Sequence, residues 1–126
     1  MRGYVMVGSN RLEEAKAFYD ALFAVIGVGK LFEHGSGGRL YGASGDGMIF
    51  GVVGPHDKKE ATAGNGTMVA LELKSREEVD AFYAKALALG GTDEGAPGLR
   101  GPAEGKMYFA YFRDLDGNKL CAYKFG

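Results

Sequence analysis

Apolar residues at positions 12, 15, 18, 22 and 25 recur at steps of three and four, while Glu13, Glu14, Lys16 and Asp20 fall mostly on the other side. That spacing predicts an amphipathic helix lying on a sheet. Val79, Phe82, Ala86 and Leu89 repeat it later in the chain. The two segments share a phrase, "EEAKAFYDALFAVIG" from 13 to 27 and "EEVDAFYAKALALGG" from 77 to 91. With Tyr4 set on Met68 and no gap, Val5 meets Val69, the two Glu pairs coincide, and both Ala-Phe-Tyr triplets align. The offset is about half the chain, which implies a duplicated module of roughly 60 residues. Aromatics at helical spacing read first as core.

On either side of each helix the period changes from 3.6 to 2. "YVMV" and "MVALEL" read as strands that open the two copies. "KLFEH", "RLYGA" and "MIFGVV" follow the first helix, and "GTDEG", "MYFAYF" and "KLCAYKF" follow the second. The order is βαβββ, twice. "SGDG" and "DLDGN" supply the Asp and Gly of tight hairpin turns. Ser75 and Glu78 have capping-box spacing, and Asn10 with Glu13 resembles it. A sheet with a helix on one face must bury the other face too. The expected fold is therefore α+β, with two βαβββ modules side by side, a curved mixed-sheet trough and helices outside. Residues 1–126 form a single domain of two tandem modules, about 1–53 and 67–126, joined by a polar, glycine-rich linker at 54–66. "APGLRGPAEGK" reads as a long loop of the kind that forms lids.

Composition narrows the partners. The formal net charge of −1 offers no basic field for a phosphate backbone, so nucleic acid is not expected. No apolar run is long enough for a membrane helix, and the N-terminus lacks the pattern of a signal peptide. The single cysteine, Cys121, cannot form an intrachain disulfide, which fits a reducing cytoplasm.

The paired modules, the "AFY" helices, "GGTDEGAPGLR" and "YFRDLDGN" together resemble the vicinal oxygen chelate superfamily, which includes glyoxalase I, bleomycin-resistance proteins and extradiol dioxygenases. The resemblance covers nearly the whole chain and is most specific from Gly90 to Asn118. It implies a divalent metal in the trough, held by His and Glu from the first and last strand of each module. Those positions fall on Tyr4, Gly51, Met68 and Cys121 in this chain. None is the expected ligand type. Glycine has no side chain, a thioether is a poor ligand for hard ions, and a phenol must lose a proton to bind. The expectation is no metal and no cofactor.

Strand alternation sets Tyr4 and Met6 on one face, Met68, Ala70 and Glu72 on the matching face, Cys121 with Tyr123, and Gly51 with Ile49. Such a wall suits a small organic ligand, and equally suits a packed core. Arg100 is a candidate contact for an anionic group. Glu72 is the one carboxylate on that face and a weak candidate base. His34 and His56 read as exposed residues, and Cys121 as a buried, inert thiol. The ligand-binding candidates are thus Tyr4, Met6, Gly51, Met68, Arg100, Cys121 and Tyr123. Two functions remain open. One is a small-molecule binding protein, as in bleomycin resistance. The other is a metal-dependent lyase or dioxygenase with a non-standard site. The resemblance also implies a homodimer.

Overall fold

The computed structural model describes residues 1–43 and 47–126, together with the backbone of Asp46. The first module contains β1 (Tyr4–Gly8), α1 (Leu12–Ala24), β2 (Lys30–Glu33), β3 (Arg39–Ala43) and β4 (Asp46–Val53). The second contains β5 (Val69–Glu72), α2 (Arg76–Ala88), β6 (Thr92–Arg100), β7 (Met107–Arg113) and β8 (Lys119–Phe125). Each module builds its own four-stranded mixed sheet, in the orders β1-β4-β3-β2 and β5-β8-β7-β6. The first strand of each module pairs in parallel with the last, Met6 opposite Gly51 and Ala70 opposite Cys121. The hairpin neighbours are antiparallel. This is the α+β arrangement that the periodicity predicts.

One core joins the modules. The helices bury Ala15, Phe18, Tyr19, Leu22 and Phe23 from α1, and Val79, Phe82 and Ala86 from α2. They pack against Val7, Phe50, Val52, Leu120 and Ala122 on the inner sheet faces. Phe23 and Phe82 meet across the module boundary with ring centroids 6.0 Å apart. A buried polar network closes the same boundary. The Tyr19 hydroxyl donates to Asp114 at 2.6 Å, and the Asn118 amide side chain donates to the Gly8 carbonyl at 2.9 Å. Asp114 also accepts from the backbone amides of Asp116 and Asn118. "DLDGN" is thus more than a hairpin turn, because its first and last residues anchor the other module.

Three local expectations change. Ser75 caps α2 by accepting from the Glu78 amide at 3.1 Å, but Glu78 reaches back to the Lys74 amide rather than that of Ser75. Asn10 does not cap α1. Its side chain instead holds the linker by both an accepted and a donated hydrogen bond to Ala61, at 2.7 and 2.9 Å. The long loop expected after residue 95 is also largely strand. β6 runs through Arg100 by means of register shifts at Gly95 and Gly98, and only Gly101–Lys106 turns back towards β7. Gly38 has a packing reason: a Cβ there would lie 2.1 Å from the Val52 carbonyl oxygen.

Candidate functional site

The sheet faces that point away from the helices carry the chemistry of interest. Strand register places Tyr4, Met6, Ile49 and Gly51 on this face of the first sheet, since Tyr4 opposes Ile49 and Met6 opposes Gly51. It places Ala70, Glu72, Cys121 and Tyr123 on this face of the second. Tyr4 is 64% exposed, Met68 43% and Met6 41%, so these three present surface to a ligand rather than filling a core. Gly51 and Cys121 lie lower. A Cβ on Gly51 would come within 3.2 Å of Leu40 and 3.3 Å of Met6, whose side chains already close over it. Cys121 is fully buried. Burial pushes its thiol up to about 11, and the nearby Lys119 and Arg100 charges offset only part of that. Glu72 is exposed rather than enclosed by apolar groups, at the rim of a depression lined also by Phe23, Met48 and Phe50.

The second sheet adds a layer that strand alternation alone does not reveal. Phe109 stacks on Tyr123 at 5.1 Å and 16°, and lies near-parallel to Tyr111 at 6.2 Å. Phe125 meets Phe109 and Tyr123 edge-on, at 5.8 and 5.5 Å. These rings form an open aromatic surface. Arg100 lies at its margin, with its guanidinium carbon 5.7 Å from the centre of the Tyr111 ring. The Lys119 ammonium is 5.4 Å from the same ring. Arg100 is held by the Ala96 carbonyl at 2.7 Å. Cβ atoms on Gly95 and Gly98 would come within 3.3 and 3.1 Å of its guanidinium nitrogens. The glycines of β6 therefore make the bed in which this side chain lies. Arg100 has no carboxylate partner among the described residues, so its charge is compensated only by the ring face and a backbone carbonyl. The sequence suggests Arg100 as the tip of a lid, but the structure fixes it at the end of a strand.

These residues do not fit the metal that such a fold would otherwise carry. The four ligand positions offer an exposed phenol, a thioether, a glycine and a buried thiol whose neutral form is favoured. Hard or borderline divalent ions take three or four imidazole, carboxylate or thiolate ligands. Among the described residues, no three His, Cys, Asp or Glu side chains come together at ligand spacing.

A further, larger cavity lies beside the linker. A cleft of about 920 Å³ opens where the start of the linker passes the β2–β3 hairpin and the end of β1. Both histidines of the chain, His34 and His56, line it. Sequence reading separates them because they stand 22 positions apart in unrelated loops.

The family model of the Glyoxalase/Bleomycin resistance protein/Dioxygenase superfamily matches residues 2–122. The chain belongs to this superfamily. It is similar to a glyoxalase/bleomycin resistance protein from Albidiferax ferrireducens T118, with 40% identity, a TM-score of 0.85 and 98% of each chain covered. A lactoylglutathione lyase from Agrobacterium tumefaciens shares the fold at 19% identity and a TM-score of 0.67, covering 96% of this chain and 90% of that one. A genomically encoded fosfomycin resistance protein from Listeria monocytogenes does so at 17% identity and a TM-score of 0.64, covering 100% of this chain and 92% of that one. No curated protein matches the chain at a significant level. No helix among the described residues is long and apolar enough to cross a membrane.

Proposed function

We propose that this protein binds a small, partly aromatic organic anion on the open sheet face and does so without a metal. The observation that carries the reading is the Arg100 guanidinium beside the Tyr111 ring, at the margin of the layer that Phe109, Tyr123 and Phe125 continue, without a carboxylate partner among the described residues. An aromatic ligand body would stack on the rings. Its carboxylate or phosphate would take the charge-assisted hydrogen bonds that Arg100 has to give. Tyr4, Met6 and Met68 would supply a soft, adaptable opposite wall. Gly51 lets Met6 and Leu40 close together beneath that wall, and Cys121 forms the floor as an inert thiol. Sequestration, rather than turnover, follows from the donor set. Among the described residues, none on this face forms an acid–base pair, and Glu72 is exposed.

In this reading the chain is one domain of two modules, about 1–53 and 67–126, with 54–66 as linker. It works as a cytoplasmic homodimer whose second copy covers part of the open face.

The test is a thermal-shift screen of small aromatic acids, followed by calorimetric titration of wild type and Arg100→Ala. Loss of a hydrogen-bonded charge contact costs on the order of 1.5–3 kcal/mol, so the variant should bind hits roughly 10- to 150-fold more weakly. Equal affinity would remove Arg100 from the site. Elemental analysis of protein purified without added metal checks the other half of the proposal. Stoichiometric Zn²⁺, Ni²⁺ or Mn²⁺ would show that ligands come from residues outside the mapped set, and would restore a lyase or dioxygenase reading.

A further inference from the structure

Of the residues that line the cleft beneath the linker, only Met6 also serves the trough reading. The cationic lining of the cleft consists of Lys58 and Lys59, joined by the imidazoles of His34 and His56, and no carboxylate among the described residues lines it. Asp57, between these residues in sequence, accepts from the Lys59 amide at 3.0 Å. Met6, Leu12, Val53 and Pro55 give the cleft an apolar side.

Two features organise it. The first is the orientation of His34. The Ser36 amide donates to its Nδ1 at 3.1 Å, which makes that nitrogen an acceptor and leaves the proton on Nε2. Ser36 is itself fixed, because its hydroxyl accepts from the Gly54 amide at 2.9 Å. His34 thus offers an N–H donor from a ring whose other nitrogen is already satisfied. The second feature is the seating of the linker. Asn10 holds Ala61 through two hydrogen bonds. The Ser9 amide donates to the Val53 carbonyl at 3.0 Å, and the Lys58 amide to that of Pro55, also at 3.0 Å. Both walls are therefore tied to the sheet before any ligand arrives, which lowers the ordering cost of binding.

We propose that this cleft is a second binding site, for a compact organic anion bearing an apolar group, such as a carboxylate or phosphate monoester. The anionic end meets His34, His56, Lys58 and Lys59, and the apolar end rests on Leu12 and Val53. The site is independent of Arg100, which belongs to the other sheet.

The chain has only two histidines, so their ring signals in long-range ¹H–¹⁵N spectra report on the cleft directly. Phenyl phosphate is the probe, with benzyl alcohol as a neutral control and sodium chloride at matched ionic strength. Phenyl phosphate should move both ring signals saturably, and the two controls should not. The exposed linker substitutions Lys58→Ala and Lys59→Ala, made together, should weaken binding at least tenfold at an unchanged thermal midpoint. Phenyl phosphate also suits the trough, so affinity is read at the histidine signals alone; Arg100→Ala should leave that affinity unaltered, which separates failure here from failure of the trough proposal. Absence of a saturable shift, equal affinity in the double lysine variant, or loss of binding in Arg100→Ala would each overturn the assignment.

Discussion

Two residues show what burial does to single side chains here. Tyr19 and Tyr83 occupy the same place in the repeated phrase, yet only Tyr19 is fully buried, with its hydroxyl on Asp114 across the module boundary. Tyr83 donates to Asp93 near the surface instead. Burial first, and the Asp114 charge second, hold the Tyr19 phenol well above its ordinary range. Tyr19→Phe should cost about 1.5–3 kcal/mol in urea unfolding, the scale of a hydrogen bond to a charged group. A loss below about 0.5 kcal/mol, the usual range for incidental substitutions, would mean that the network does not hold the modules together. Cys121 gives a pH test. Its thiol is raised from 9.0 to about 11 in the fold, so folding favours the neutral form. That contribution is complete below pH 9, falls as pH rises from 9 to about 11, and amounts to on the order of 2 kcal/mol. Above pH 10 the raised phenols of Tyr19 and Tyr41 add to the loss in wild type and variant alike. Cys121→Ala should therefore show a shallower fall in thermal midpoint across pH 9 to 11 than wild type. Parallel curves would show that the thiol does not titrate with unfolding.

At the scale of elements, strand and helix positions follow from local periodicity wherever side chains alternate between core and surface. β3 and β8 fall where "RLYGA" and "KLCAYKF" predict them, although Leu40–Tyr41 and Leu120–Ala122 are buried in succession, on both faces. β6 breaks the pattern. Its "GAPGLR" half contains three residues that strands disfavour, and the strand survives only because register shifts at Gly95 and Gly98 absorb them. That is why a lid was the natural expectation and a strand-borne Arg100 was not. The two helix starts differ for a related reason. "SREE" and "NRLE" look alike, but Asn10 sits where the linker returns and bonds to Ala61. Ser75 has no such competitor and caps α2. Ser75→Ala should destabilise by about 1 kcal/mol, the usual worth of an N-cap hydroxyl. Asn10→Ala should leave α1 intact and instead speed tryptic cleavage after Lys58 and Lys59, measured by limited proteolysis. Unchanged cleavage with loss of helix signal would return Asn10 to a capping role.

At the scale of the whole molecule, duplication, fold class and family were legible because a 64-residue offset repeats a core pattern that topology must satisfy twice. The aromatic layer and the histidine cleft were not, since both arise from side chains brought together by register and by the path of the linker. The same face raises the question of assembly. Tyr4, Met6, Met68 and Phe125 are exposed on it, and Phe32 shares it by its register with Leu40. Large apolar residues exposed in this number on a small chain mark an interface or a ligand face. A ligand a few rings across cannot cover residues spread over both sheets, so the proposed homodimer would set a second copy of the 13.4 kDa chain against them. Light scattering should give a mass about twice that of the chain, and Phe125→Lys, at the outer edge of the aromatic layer, should shift it towards the monomer. The dimer should also resist salt, because its contact is apolar rather than ionic. A wild-type monomer at tens of micromolar, with ligand affinity equal to that of Phe125→Lys, would show that the open face serves the ligand alone.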